Sequence, residues 1–398
     1  MKRSKKFRLP ELRPEEQVLL LCARTEIPAA LQDEFHRLVG RVGNWDVLIE
    51  KAVPHKLSSL VYHHLINSSE AKVPGEVLNQ LRLNVFEQSI GYLRIAAVQK
   101  KLSSNVLKRH AIPHVFFKGV GLAEELYPNP SYRPSRDIDV WIDPSLMGDV
   151  WDHLMGLGFK RLQKLDQTHQ IPADHAAYLL PTVDVVSPEG VLIEIHMRYD
   201  QSGLTIDPAE IYSRSREIST SIGSIRVPSF EDHFMYACQH HSRHLWARLR
   251  WLADLDAFER SEHFNQEQLH TLASGTALAP TITACLDMWS SLSAPDFSTN
   301  HCQSDHGLEL KYWLFRSIVE GPSIGNQKRE SRASPDFALP WQYGWSHIVR
   351  LKINKLKPTQ ADYLDYPLER KSWWKYYFTR PIRLIRTTRS LPGESGIG

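Results

Sequence analysis

From Arg136 to Asp143 the chain reads Arg-Asp-Ile-Asp-Val-Trp-Ile-Asp. As a β-strand, this run places Asp137 and Asp139 on one face and Ile138, Val140 and Ile142 on the other, because side chains alternate along a strand. The apolar face can anchor the strand in a core. The acidic face holds two carboxylates side by side, an arrangement that repels itself unless a cation lies between them. This layout suits metal-assisted phosphoryl transfer and makes nucleotide chemistry the leading reading.

A second strand candidate, Val191–Met197, carries Glu194 and His196 on one face, with Ile193 and Ile195 on the other. If it lies beside the Asp137 strand, three carboxylates converge, enough to hold two divalent ions. Mg²⁺ favours such sparse carboxylate ligation completed by water and phosphate. Upstream, Phe116-Phe117-Lys118-Gly119-Val120-Gly121 leads into a helix. Gly119 and Gly121 leave backbone amides open to phosphate near a helix start, where the dipole favours anions. Lys118, Arg133 and Arg136 can neutralise a triphosphate and the departing pyrophosphate.

The surrounding chain is mostly helical. Apolar residues recur at helical spacing from about 14 to 108, including a set at Leu81, Leu83, Val85, Phe86, Ile90, Leu93, Ile95 and Val98. A strand at 114–117, a helix at 119–127, the loop Tyr127–Ser131 and a helix at 144–157 closed by Gly158 follow. Further strands are expected at 159–162, 176–180 and 191–197, the last two pairing across Ser187–Gly190. Helices return over 230–260, 272–292 and 308–319, then a polar loop at 321–335 and an aromatic, basic tail at 373–389. The pattern reads as α/β or α+β, in four stretches: 1–108 helical, 109–228 catalytic core, 229–325 helical, and 326–398 loop and tail.

With 398 residues and 42% apolar content, the chain can fill two or three ordinary domains. Lys and Arg total 48 against 45 Asp and Glu, a balance that argues against a protein built mainly to coat nucleic acid. Cys22, Cys238, Cys285 and Cys302 are scattered, which suits a reducing cytosol. The basic Met1–Lys6 start has no apolar run behind it, and no stretch is long enough to span a bilayer. A cytoplasmic protein without a transmembrane segment is expected.

Taken together, Lys118-Gly119, Leu122 through Leu126-Tyr127-Pro128, Arg133-Pro134, Arg136-Asp137-Ile138-Asp139 and Glu194-Ile195-His196 resemble the bacterial uncharacterised nucleotidyltransferase family, within the DNA-polymerase-beta-like superfamily. Ala111–Val115 resembles the entry to the family's first strand. His240–Trp246 and Leu249–Asp254 resemble its downstream His- and Trp-containing helix, so the resemblance covers roughly 15–260. It implies an α+β fold: a mixed-sheet nucleotidyltransferase core flanked by helical regions. Asp137, Asp139 and Glu194 would then ligate Mg²⁺ (or Mn²⁺), and the Lys118-Gly119 turn would contact phosphates. Two departures stand out. Gly119-Val120 replaces the usual Gly-Ser or Gly-Gly step, and Glu194 stands where Asp is expected.

The implied reaction moves a nucleoside monophosphate from an NTP to a hydroxyl-bearing acceptor, a small molecule, RNA or protein, and releases pyrophosphate. Glu194 is the candidate for assisting proton removal, and His196 for orienting Glu194 or touching acceptor. His244, Arg250 and Asp254 are expected as polar groups at the cleft wall. His240 and His244 share a helical face, but the His-Glu-x-x-His pattern of a zinc site is missing. The tail at 373–389 reads as a docked helix with a basic rim, or else as a surface for RNA or acidic membrane. Two rival readings are a toxin- or defence-type enzyme modifying tRNA or protein, and a silent nucleotide-binding scaffold.

Overall fold

The computed structural model describes residues 7–68, 73–163, 167–322 and 334–380. The Met1–Lys6 start, most of the 321–335 loop and the tail from Pro381 onward lie outside the described residues. The fold is α+β. The N-terminal helices are α1 (Pro14–Cys22), α2 (Ala29–Val39), α3 (Trp45–Ala52), α4 (Ser58–Ile66) and the long α5 (Gly75–Leu102).

The sheet region follows: β1 (His114–Phe116), α6 (Gly119–Leu126), β2 (Asp137–Ile142), α7 (Met147–Gly156), β3 (Lys160–Arg161), α8 (Ala173–Leu179), β4 (Thr182–Val186) and β5 (Leu192–His196). Next come α9 (Pro208–Arg214), a hairpin of β6 (Arg216–Thr220) and β7 (Gly223–Val227), and the helices α10 (Phe230–Arg243), α11 (Arg250–Glu259), α12 (Gln266–Ser274), α13 (Ala279–Leu292) and α14 (Asp305–Glu320). The described chain closes with α15 (Trp345–Asn354), α16 (Gln360–Asp365) and a short helical stretch to residue 380.

The five-stranded sheet runs β1-β2-β5-β4-β3. β2 and β5 are parallel; the other pairings are antiparallel, so the sheet is mixed. One face carries Ile138, Val140, Ile193, Ile195, Val183 and Val185. They pack against the end of α5, α7 and α8 in one core. A second core joins the N-terminal helices to those after the sheet: Leu20, Phe35 and Leu38 share it with Trp246, Phe258 and Leu314. Buried polar ties reinforce that union. Arg24 donates to the Leu292 carbonyl at 2.6 Å, and the Thr25 amide to Asp256 at 2.8 Å.

One sequence expectation needs correction. Residues 176–180, expected as a strand, belong mainly to α8, and the partner of β5 across the 187–190 turn is Thr182–Val186. Pro172 and Asp174 start that helix and Pro181 stops it, whereas Thr182-Val183-Asp184-Val185-Val186 is the β-branched alternating run. The apolar set along α5 does lie on a helix, but it divides between core and surface. Leu81, Ile95 and Val98 are buried, but Leu83, Phe86, Ile90 and Leu93 lie exposed. Gly158 does close α7, at a φ of +80° that suits glycine. Among the described residues no helix is long and apolar enough to cross a membrane.

Candidate active site

The β2–β5 register decides the geometry. Asp139 lies opposite Glu194, Asp137 opposite Leu192, and Trp141 opposite His196. The sheet face away from the Ile/Val core therefore gathers the carboxylates of two adjacent parallel strands. They open on a cleft of about 440 Å³, a size suited to a small ligand.

Inside it, Lys118 Nζ and His196 Nε2 each donate to Asp139 Oδ1 at 3.0 Å, and His196 Nε2 also lies 3.4 Å from Glu194 Oε2. Burial alone would raise the Asp139 pKa, but Lys118 and His196 outweigh it and hold the carboxyl at about 2. The hydrogen bond from His196 keeps Glu194 low against its own burial. The His196 pKa is raised: burial opposes its charge, and the two carboxylates override it. Asp137 is pushed up by burial and by the neighbouring Asp139 charge.

Ligand atoms of Asp139, Glu194 and His196 lie within 4.8 Å of one another, a spacing that fits a metal ion. Asp137 is not part of that group but lines the same cleft. Among the described residues His240 and His244 form no such group, and their rings meet edge-on, 4.8 Å apart.

Lys118 reaches Asp139 from a strained turn. Its backbone has φ +64° and ψ −154°, a region that β-carbon-bearing residues seldom occupy, and strain of this kind concentrates at functional sites. Its N–H donates to His233 Nε2 at 3.0 Å. Burial, and then Arg133, depress the His233 pKa to about 3, so the ring stays neutral and can accept. Gly119 follows at φ +52° and lines the cleft. Gly121 does not line it. A β-carbon there would approach Val227 Cγ1 at 3.0 Å, so this glycine lets α6 pack on β7.

The basic residues divide into two groups. Arg133 lines the cleft and is ion-paired: Nε donates to Asp254 Oδ1 at 2.7 Å and Nη2 to Oδ2 at 3.0 Å, with the Tyr127 hydroxyl also on Oδ1 at 2.7 Å. Asp254 is thus a buried anchor behind the cleft wall. Arg136, Arg243, Arg248, Arg250 and Lys56 line the cleft without that partner. Burial, then Arg136, Arg250 and Arg248, lower the Lys56 pKa to about 8, the signature of cations crowded without enough counter-charge.

That cluster draws on distant segments. The His55 carbonyl accepts from the Arg250 N–H, and His55 Nδ1 accepts from the Leu249 N–H, both at 3.3 Å. These bonds bring Lys56, from the turn after α3, to the loop that follows α10. That loop starts with two left-handed residues, Leu245 and Trp246.

His244 lines the cleft as expected, beside Tyr236, His240 and Trp251. Sequence reasoning missed Lys56, Arg248 and Asp184. Asp184 pairs with Glu194 across β4 and β5 and extends the acidic row to a third strand; the alternation in 182–186 was the signal for it.

A family model described as uncharacterised nucleotidyltransferase matches residues 42–291. The match begins after the first two helices and runs on through most of α13, so it takes in the sheet, the cleft and Lys56. No curated protein matches the chain.

Proposed function

Because this chain belongs to the uncharacterised nucleotidyltransferase family, we propose that it transfers a nucleoside monophosphate from an NTP to a hydroxyl-bearing acceptor. The observation that carries this reading is the placement of Asp139 and Glu194 on adjacent parallel strands, facing a cleft rimmed by cations. The acceptor oxygen attacks the α-phosphorus, the bond to the β-phosphate oxygen breaks, and pyrophosphate leaves with that electron pair. Glu194 takes the acceptor proton; the hydrogen bond from His196 fixes its carboxylate and keeps it ionised. A divalent ion held by Asp137, Asp139 and Glu194 would supply Lewis-acid polarisation and lower the pKa of the acceptor hydroxyl.

Lys118 and the Gly119 backbone sit at the phosphate side of the acidic row. Lys56, Arg136, Arg248 and Arg250 complete that side, where positive charge stabilises triphosphate and departing pyrophosphate. The aromatic wall of Tyr236, His240, His244 and Trp251 offers ring faces for a base. The acceptor belongs on the opposite side, beyond β5, where Thr182, Asp184 and Gln201 present a hydroxyl, a carboxylate and an amide. Such a wall suits a polyhydroxylated or amine-bearing small molecule better than a long nucleic acid.

Calorimetric titration with each NTP tests the reading. Wild type binds at least one NTP more tightly when Mg²⁺ or Mn²⁺ is present, and Asp137→Asn/Asp139→Asn loses that metal-dependent gain. An absence of NTP binding by folded wild type refutes it.

A further inference from the structure

The helix α15 and its C-terminal turn read Trp345-Ser-His-Ile-Val-Arg-Leu-Lys-Ile-Asn-Lys-Leu-Lys357, with no acidic residue. At 100° per residue, Trp345, Val349, Ile353 and Leu356 fall within one narrow arc. The protein leaves this arc uncovered: Trp345 is 79%, Ile353 60% and Leu356 63% exposed. Arg350 and Lys357 flank it on one side and Lys352 and Lys355 on the other, all exposed. The inward side carries His347, which is buried against Phe337 and Tyr343, the half-buried Ile348 and Leu351, and Asn354, whose Nδ2 donates to the Ser202 carbonyl at 3.1 Å. The helix is therefore docked by its His347–Leu351–Asn354 side and still turns a second, wholly exposed apolar arc outward, where an ordinary surface helix presents polar residues.

A second exposed apolar group adjoins it. Arg380 Nη1 donates to the Lys357 carbonyl at 2.9 Å, which ties the end of the described chain to the end of this helix. Just before Arg380, Trp374, Tyr377 and Phe378 are more than half exposed, with the Lys375 ammonium over the Trp374 ring.

We propose that this face docks on an anionic membrane surface, with the Trp345–Leu356 ridge entering the acyl boundary and the flanking Lys and Arg residues meeting lipid phosphates. An outward apolar ridge with cationic margins and an aromatic residue at one end is the pattern of an in-plane interfacial helix. A second copy of the chain is a poor occupant, because a two-fold contact through this ridge would bring four basic residues of each copy together without an acid. RNA fits the ridge itself less well: three of its four residues, Val349, Ile353 and Leu356, offer no face on which bases stack, and the exposed rings stand only at its ends. The inference is independent of the nucleotide reading.

Co-sedimentation of the full chain with phosphatidylcholine vesicles, with and without phosphatidylglycerol, tests it. Binding is expected to the anionic vesicles only and to weaken with added salt. Trp345→Ser/Ile353→Ser should reduce partitioning by about tenfold or more. Lys352→Glu/Lys355→Glu should reduce it by about a hundredfold. All four positions are exposed, so the melting temperature should stay that of wild type, and this separates lost docking from lost folding. Wild type that ignores anionic vesicles overturns the proposal. So does binding that survives both double variants, or a ridge whose substitution abolishes only self-association or RNA binding.

Discussion

The Arg133–Asp254 pair gives the sharpest test of how the cleft is built. Arg133 is 3% exposed and Asp254 is fully buried, and their two hydrogen bonds are joined by one from Tyr127. Asp254→Asn keeps the shape and removes the charge, leaving a buried guanidinium without its counter-ion. Breaking a buried pair from one side costs about 3–5 kcal/mol. An unfolding entropy of about 2.1 cal mol⁻¹ K⁻¹ per residue makes this a fall of about 4–6 °C in Tm for a chain of this length. The same pair gives a pH signature. Burial opposes ionisation of Asp254, yet Arg133 brings its pKa from 3.8 to about 2. A lowered acid contributes stability above its unfolded pKa and loses it as pH falls through the folded one. About 2–3 kcal/mol should therefore disappear between roughly pH 4 and pH 2. Thermal melts of wild type and Asp254→Asn should converge over that window. In a double-mutant cycle, Arg133→Met/Asp254→Leu should recover much of the loss, less about 1–3 kcal/mol for the Tyr127 hydroxyl left unpaired. Single variants within about 1 kcal/mol of wild type, or strictly additive effects, would refute the pair as the anchor of the cleft wall.

Other consequences are quicker to check. Lys56→Ala and Arg248→Ala should each weaken NTP binding by about tenfold, with a shallower dependence on salt; unchanged affinity removes them from the phosphate site. Glu194→Gln should lower kcat by about 10²–10⁴, and a variant as fast as wild type excludes Glu194 as the proton acceptor. Asp336 is fully buried, and burial with nearby Asp200 raises its pKa from 3.8 to about 6. A raised acid favours folding below its unfolded pKa and withdraws that support as pH climbs through the folded one. Asp336→Asn should therefore be the more stable protein at neutral pH, by at most about 3 kcal/mol, and a lower Tm there contradicts the assignment.

Much of the acidic centre was legible because a strand's period of two is unambiguous when apolar and acidic residues alternate, as in Asp137–Ile142 and Leu192–His196. The parallel register that brings Glu194 opposite Asp139 was a condition of that reading, and the fold meets it. Asp184 stayed hidden because Ala176–Leu180 looked like a strand, when the flanking prolines and alanine content belong to a helix. Lys56 and Arg248 were not legible at all. They reach the cleft only through the His55 contacts with Leu249 and Arg250, across nearly two hundred residues of chain. Gly121 has the chemistry to meet phosphate, but packing on β7 claims it. Arg133 lines the cleft while Asp254 holds its guanidinium.

Pyrophosphate release is the direct readout of nucleotidyl transfer at this cleft. Wild type and Asp137→Ala/Asp139→Ala are incubated with Mg²⁺ and each of the four NTPs, in the presence of a cell extract of small molecules and RNA. Release is expected from wild type with at least one NTP and none from the double variant, with label from the α-phosphate appearing on an acceptor. Equal release by both proteins, or none by wild type in an extract where its bound NTP is intact, would contradict it.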